Sequence, residues 1–232
     1  MRVETARSAT RPTETTVVPI FVTDFDGTLC EHDFYSEVLA QLMPPGTANF
    51  YTHYIRGEMT HFECLAAYFA AIPGTEADLI QLVAGMSLPK ELPRLLARLR
   101  AADWEVVIAS AGCRWYIERL LSNAGVTLEV HANDGRWVGH GRGLEMILPK
   151  QSPFFSPTVG IDKAAVVRAA QARTNMVAFA GDGHTDVPAA RLVPPALRFA
   201  VADCAYALTA LGESYRSFRN WADIAETLLE ES

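Results

Sequence analysis

The sequence has 232 residues, half of them apolar and a fifth of them charged, which is an ordinary balance for a folded globular chain. Its net charge of −7 at pH 7 argues against a surface that binds nucleic acid. No apolar run approaches the roughly 20 residues of a membrane span, so we expect no membrane partner. The length allows one large domain or a core with a smaller insertion, and it leaves the oligomeric state open.

The N-terminal residues and the cysteines bear on the cellular compartment. Residues 1–16 are polar and lack the apolar core of a signal peptide, so we predict a flexible arm. The four cysteines are scattered, with no CxxC pair and no zinc-site spacing. They are Cys30, Cys64, Cys113 and Cys204. We predict free thiols in a protein of the reducing cytoplasm.

Short apolar runs alternate with helical patterns along most of the chain. This alternation predicts an α/β fold in which a parallel sheet is wrapped by helices. The predicted strands are 17–23, 104–109, 176–180 and 198–201. The predicted helices are 90–101, 113–124, 162–173, 185–192 and one near 220–230.

Residues 33–88 differ from the rest because they show helical patterns without a strand signal. Thr60 and Glu63 have the spacing of a capping box, which predicts the start of a helix. An all-helical block directly after the first strand indicates a cap inserted over the edge of the sheet. The predicted division is an arm at 1–16, a core at 17–32 and 89–232, and a helical cap at 33–88.

Residues 131–160 have a third kind of composition, which is rich in Gly and Pro. Within it, Asn133-Asp134-Gly135 predicts a hairpin turn, because Asn, Asp and Gly tolerate the backbone angles that such turns require. The sequence shows no internal repeat.

Polar side chains follow three of the predicted strands. Asp24, Ser110 and Asp182 each lie at or just beyond a strand's carboxyl end. Ligands bind at that edge of open parallel sheets, so we expect these side chains to share one site.

Asp24 and Asp26 are two residues apart on chain that leaves a strand, so their carboxylates can point the same way. One can attack phosphorus to form an aspartyl-phosphate, while the other protonates the leaving oxygen and then activates water. Gly27 permits a sharp turn, and Thr28 offers a hydroxyl to the phosphoryl group or to the loop. The alternative is a turn in which the acidic residues only cap backbone groups. A calcium loop fits poorly, because the glycine comes too early for one.

The segment from Gly181 to Asp186 places two further carboxylates on a Gly-rich turn. Asp182 and Asp24 together would form a hard oxygen site suited to Mg²⁺, whose charge lets Asp24 stay ionised beside a phosphate. The alternative is a plain strand–helix turn with Asp186 in the first helical turn.

Two further groups can bind phosphoryl oxygens. Lys163, at the start of a predicted helix, can neutralise their charge, although most lysines at such positions are simply solvated. Ser110 can donate its hydroxyl, and the neighbouring amides, including that of Gly112, can donate as well. The alternative for Ser110 is a serine that merely ends a strand.

Taken in chain order, the candidate residues form four short motifs: Asp24-x-Asp26-Gly27-Thr28, Ser110, Lys163 and Asp182-x-x-x-Asp186. They resemble the four motifs of the haloacid dehalogenase-like superfamily, over essentially residues 17–230. The resemblance implies a Rossmann-like core and an aspartyl-phosphate mechanism. It makes Asp24 the nucleophile, Asp26 the general acid/base, and Ser110 and Lys163 the groups that hold the phosphoryl group. Mg²⁺ would be bound by Asp24, the Asp26 carbonyl and Asp182, with Asp186 in support.

Asp26 indicates a phosphatase, because related ATPases have Thr at that position and the dehalogenases lack the acid. The inserted helices resemble the cap of the phosphoserine phosphatase-like branch. That branch has a cap-side acid near the substrate at the position that Asp33 occupies in this sequence. The chain looks most similar to the methylthiopentenyl-phosphate phosphatases of methionine salvage. It departs from phosphoserine phosphatase at residues 66–69, where Ala, Ala, Tyr and Phe replace the expected carboxylate-binding Arg.

The cap contains many aromatic residues, and its only Arg or Lys over residues 34–88 is Arg56. Such a segment is ill suited to a substrate that carries a carboxylate, so we expect a small phosphomonoester with a neutral or apolar remainder. The candidate substrate-binding residues are Thr28, Asp33, Gly112, Arg56 and His184. A phosphoserine or sugar phosphatase, a phosphotransferase or mutase, and a phosphoacceptor module that holds phosphate on Asp24 as a signal stay open as alternatives.

Overall fold

The computed structural model describes residues 18–86, 88–139 and 141–230. The predicted arm at 1–16 and the first residue of the first predicted strand lie outside these ranges. None of the described helices combines the length and the apolar composition that a membrane crossing requires.

A six-stranded sheet forms the centre of the fold. The strands are β1 (Ile20–Thr23), β2 (Glu105–Cys113), β3 (Glu129–Trp137), β4 (Leu144–Ile147), β5 (Phe155–Ser156), β6 (Gly160–Ile161), β7 (Val177–Gly181) and β8 (Arg198–Ala200). The sheet order is β4-β3-β2-β1-β7-β8, and β5 pairs with β6 in a separate ribbon. Within the sheet the neighbours are parallel, except that β4 runs antiparallel to β3.

Helices cover both faces of this sheet. The helices are α1 (Phe34–Gln41), α2 (Phe50–Ile55), α3 (His61–Ala70), α4 (Glu76–Gly85), α5 (Leu92–Ala101), α6 (Arg114–Asn123), α7 (Lys163–Gln171), α8 (Val187–Ala190), α9 (Ala202–Ala210) and α10 (Trp221–Glu230). The alternation of side chains along β1 separates the two faces. Phe21 packs in one apolar cluster with α5, α6 and α10, whereas Ile20 and Val22 pack in a second cluster with α7, α8 and α9. The predicted α/β architecture with a mainly parallel, Rossmann-like sheet is confirmed.

Four helices, α1 to α4, fill the chain between β1 and α5. The capping box predicted at Thr60 and Glu63 is present and starts α3. Apolar side chains of these helices, among them Phe34 and Phe69, belong to the same buried cluster as Phe21. The helices therefore share one continuous buried apolar cluster with the core.

Some local predictions are wrong. Asn133-Asp134-Gly135 does not form the predicted turn, because Asp134 and Gly135 pair with Ile147 and Met146 in the ladder of β3 and β4. The hairpin closes further along, where the N–H of Val138 donates to the carbonyl of Gly143 at 3.0 Å. Glycines are frequent in that later segment, and they supply the turn conformations there.

The helix predicted at 185–192 is split into a 3-10 turn, His184–Asp186, followed by α8. Pro188 stands at the start of α8, where a missing backbone N–H costs no helical hydrogen bond. Strand β2 extends four residues beyond its predicted end and therefore includes Ser110. Helix α9 was not predicted. All four cysteines are free, as predicted, and buried.

Candidate active site

A cavity of about 230 Å³ opens where β1, β2 and β7 end. Most of the candidate residues line it together: Asp24, Asp26, Asp33, Ser110, Gly112, Lys163, Asp182, His184 and Asp186. Two candidates stand apart. Thr28 is 2% exposed, and its hydroxyl has no hydrogen-bond partner within the described ranges. Arg56 lies exposed at the end of α2 and does not line the cavity.

Lys163 joins two buried carboxylates at the floor of the cavity. Its Nζ lies 2.7 Å from Asp24 Oδ1 and 2.6 Å from Asp186 Oδ1. Burial disfavours the ammonium charge, but Asp186 and Asp24 outweigh it and hold the pKa of Lys163 above its usual value. For Asp24, burial and the charge of Asp186 raise the pKa, and Lys163 opposes them. The cluster therefore holds more negative than positive charge and favours a further cation.

Carboxylate oxygens of Asp24, Asp182 and Asp186 lie within 4.8 Å of one another. An all-oxygen acidic set of this kind fits Mg²⁺. Both carboxylate oxygens of Asp186 already have partners. Oδ2 accepts from the backbone N–H groups of Asp182 at 3.2 Å and Gly183 at 2.9 Å, and Oδ1 contacts Lys163. Asp186 therefore shapes the turn that presents Asp182.

Gly27 lets the turn after β1 approach Asp182. Its φ of 69° is left-handed, and a Cβ at this position would come within 2.3 Å of Asp182 Oδ2. Any other residue at position 27 would be strained and would displace that carboxylate.

Asp26 has a different environment. Its Oδ2 accepts a short hydrogen bond from the hydroxyl of Tyr116, and its Oδ1 accepts from the backbone N–H of Phe34 at 3.1 Å. Burial and the charge of Asp33 raise the pKa of Asp26 to about 7, although both hydrogen bonds favour the ionised form. A carboxyl group with this pKa can both donate and accept a proton near neutral pH.

Beside these carboxylates lies the segment Ser110-Ala111-Gly112. Ser110 is 1% exposed, and its Oγ accepts from the N–H of Gly112 at 2.9 Å, so its own proton is free to point toward a ligand. Asn133, fully buried in β3, donates from Nδ2 to the carbonyl of Ala111 at 2.7 Å. This contact fixes the segment where the register between β2 and β3 shifts.

The opposite wall of the cavity comes from the helices between β1 and α5. It is mostly aromatic and apolar, and it consists of Tyr35, Tyr51, Tyr54, His61, Cys64, Leu65 and Phe69. Among the described residues that line the cavity, Lys163, on the opposite side, is the only Lys or Arg. Asp33 caps α1 by accepting from the N–H of Ser36 at 2.7 Å, and His184 lies near the rim, 3.6 Å from Asp203.

The sequence profile of haloacid dehalogenase-like hydrolases matches residues 21–191, well over half of the chain. The chain therefore belongs to this hydrolase family. The comparison with curated protein sequences yields no match.

Solved structures share the fold. A HAD family hydrolase from Salmonella enterica serovar Typhi has a TM-score of 0.69 at 17% identity, over 96% of this chain and 74% of that chain. A phosphoserine phosphatase described as a phospho-aspartyl intermediate analogue has a TM-score of 0.64 at 13% identity, over 91% of this chain and 99% of that one. The phosphoserine phosphatase from T. onnurineus has a TM-score of 0.61 at 16% identity, over 96% and 98% of the two chains.

Sequence reasoning missed two residues of the site. Tyr116 contacts Asp26 from α6, 90 positions away, and Asn133 holds Ala111 from β3. Neither residue belongs to a recognisable local motif. Tyr116 lies in the apolar pattern of a helix, like an ordinary core residue, and Asn133 lies in a segment whose composition is that of a turn. Asn133 could have been found only from a pairing of β3 with β2, and neither β3 nor that pairing is predicted from the sequence.

Proposed function

We propose that this protein is a magnesium-dependent phosphomonoester hydrolase in which Asp24 is the nucleophile. The observation that carries the proposal is the pairing of two unlike carboxylates at one strand end. Asp24 contacts a buried lysine at 2.7 Å, whereas Asp26, two residues later, has a pKa of about 7. Burial raises the pKa of both carboxyl groups, but the Lys163 ammonium beside Asp24 favours its ionised form, and a bound Mg²⁺ would favour it further. These contacts support a nucleophilic role for Asp24 and an acid/base role for Asp26.

The donor set supports a bound Mg²⁺ held by Asp24, Asp182 and the backbone carbonyl of Asp26, with Asp186 in support. When bound, the ion neutralises charge on the phosphoryl group and favours the ionised form of Asp24.

Each residue then has a defined task. A carboxylate oxygen of Asp24 attacks phosphorus, and the ester oxygen leaves with the proton of Asp26. The ionised Asp26 next takes a proton from water, and the resulting hydroxide attacks the phosphorus of the aspartyl-phosphate, which frees Asp24 and releases phosphate. The Ser110 hydroxyl and the Lys163 ammonium hold the phosphoryl oxygens through both steps.

We further propose that residues 33–88 are a cap whose inner wall selects the leaving group. Tyr35, Tyr51 and Tyr54 line that wall, while Arg56 lies outside the cavity. A carboxylate-bearing substrate needs a cationic partner, and the described wall offers none. These features support a phosphomonoester with an uncharged, partly apolar remainder, such as 2-hydroxy-3-keto-5-methylthiopentenyl-1-phosphate, over phosphoserine.

A panel of phosphomonoesters tests both statements. With Mg²⁺, the wild type should release phosphate from p-nitrophenyl phosphate, and it should prefer a methylthiopentenyl phosphate to phosphoserine by kcat/KM. Asp24→Asn should lower kcat by at least about a thousandfold, because an amide is no nucleophile. Asp134→Asn is the matched control, because Asp134 is exposed and outside the cavity, and it should keep full activity. Turnover that survives Asp24→Asn contradicts the mechanism, and a preference for phosphoserine contradicts the substrate class alone.

A further inference from the structure

His61 differs from the other histidines of the described ranges. Each of the others has a carboxylate within 4 Å: His32 with Glu37, His53 with Glu58, His131 with Glu129 and His184 with Asp203. His61 has no such ion pair in the described part of the chain, and it lines the cavity that holds Asp24 and Lys163. An imidazole placed there without an acidic partner calls for another explanation.

The position of His61 is fixed by the backbone and by packing. It is the first residue of α3, and the next residue, Phe62, donates its backbone N–H to the carbonyl of Thr158 at 2.9 Å. The imidazole ring packs edge-on against Tyr54, with 5.5 Å between the ring centroids. Burial and the charge of Lys163 lower the pKa of His61 to about 4, against the opposing charge of Asp186, so the ring is neutral at pH 7.

The two ring nitrogens are in different surroundings. Nδ1 is buried and has no hydrogen-bond partner within the described ranges. A buried acceptor lone pair without a partner is tolerated better than a buried N–H without one. The neutral ring therefore carries its proton on Nε2, which is its one donor.

We propose that His61 donates this Nε2–H to a phosphoryl oxygen of the bound phosphomonoester. The inference rests on the proposed function. A phosphoryl group held by Lys163 and Ser110 carries several acceptor oxygens into the cavity that His61 also lines, and the charge of Lys163 reaches the imidazole. A neutral donor adds a hydrogen bond there without repelling the ammonium of Lys163. His61 is thus a substrate-contacting residue contributed by the inserted helices, and it couples phosphate binding to their position.

Binding of orthophosphate in the presence of Mg²⁺, measured by titration calorimetry, tests the role without turnover. His61→Leu should weaken binding about tenfold, because a hydrogen bond to a charged oxygen is lost. His61→Gln should restore most of the affinity, since its amide N–H reaches about as far as Nε2. The matched control is His53→Leu, an exposed histidine, which should bind orthophosphate like the wild type.

A second measurement does not depend on how well any variant folds. In the wild type labelled with ¹⁵N-histidine, orthophosphate should shift the Nε2 resonance of His61, and an unmoved resonance contradicts the contact. Equal orthophosphate affinity in the wild type and His61→Leu also contradicts it, even where KM for the ester rises. Absence of phosphatase activity in the wild type, by contrast, overturns the proposed function itself.

Discussion

At the scale of single residues, the protonation of Asp26 is set by opposing neighbours. Burial and the Asp33 charge raise its pKa to about 7, while the Tyr116 hydroxyl lowers it by stabilising the carboxylate. In the proposed mechanism the leaving oxygen takes the proton of Asp26, so kcat/KM should fall as the pH rises through the pKa of Asp26. Tyr116→Phe should move this alkaline limb to higher pH, and Asp33→Asn should move it to lower pH.

The two variants shift the limb in opposite directions, which separates an electrostatic effect from general damage. Asn can also cap a helix, so Asp33→Asn should leave α1 intact. The profile of kcat/KM against pH for an alkyl phosphate, whose leaving oxygen needs the proton, measures both shifts. The exposed Tyr206, changed to Phe, provides the control and should leave the limb in place. A common direction of shift in both variants contradicts this account of Asp26.

The residues predicted from sequence and those missed differ in how they reach the site. Asp24 and Asp182 follow buried strands, and parallel strands meet at one edge, so local pattern was enough to place them together. Tyr116 reaches Asp26 across the fold from a helix, and its ring stacks on Phe34 with centroids 4.0 Å apart. That stacking depends on where the inserted helices pack, which no local pattern encodes.

At the scale of elements, the central strands and most helices of the core were predictable, because continuous apolar runs and helical periodicity mark them. Strand β3 was not, since only two of its nine residues are buried and it contains Asn, Asp and Gly. Tertiary contacts override this turn-like composition: Asn133 is buried against Gly160, where a Cβ would clash with its Oδ1. The long pairing of β3 with both β2 and β4 then holds the strand in place.

Asn133 links β3 to the segment that contains Ser110, and substitution tests this link. Asn133→Ala removes the donor to the carbonyls of Ala111 and Val159 and should cost about 1–3 kcal/mol of folding free energy. The loosened segment at Ser110 should also lower kcat by about tenfold, since phosphoryl positioning is lost. Urea unfolding and kcat together measure the effect. Asn123→Ala, at the exposed end of α6, serves for comparison and should change neither value.

A change in stability without a change in kcat would show that β3 supports the fold but does not position the site. A change in kcat that Asn123→Ala reproduces would show that the effect is not specific to Asn133.

At the scale of the whole molecule, the negative charge that would let the acidic cluster bind Mg²⁺ also lowers the stability of the metal-free fold. Burial and the Asp186 charge raise the pKa of Asp182 to about 6, above its usual value. The folded protein therefore binds this proton more tightly than the unfolded chain does. The stability that Asp182 contributes is fully present at low pH and is lost as the pH rises from about 4 through 6. Binding of Mg²⁺ to the folded state should offset the loss at neutral pH.

Asp182→Asn separates these two effects in one variant. An uncharged amide removes the repulsion, so at pH 7.5 in EDTA the variant should unfold at a midpoint about 2–4 °C above wild type, which corresponds to about 1 kcal/mol. Addition of Mg²⁺ should raise the wild-type midpoint and leave that of the variant unchanged, because a cluster ligand is missing. At pH 4.5 in EDTA, where wild-type Asp182 is largely protonated, the two midpoints should converge.

Thermal unfolding at both pH values, with and without Mg²⁺, measures these midpoints. The control Asp134→Asn should follow the wild type under every condition. A variant that keeps the Mg²⁺-dependent rise would show that the ion binds elsewhere, and one that is less stable than wild type at pH 7.5 would show that the Asp182 carboxylate contributes to the metal-free fold.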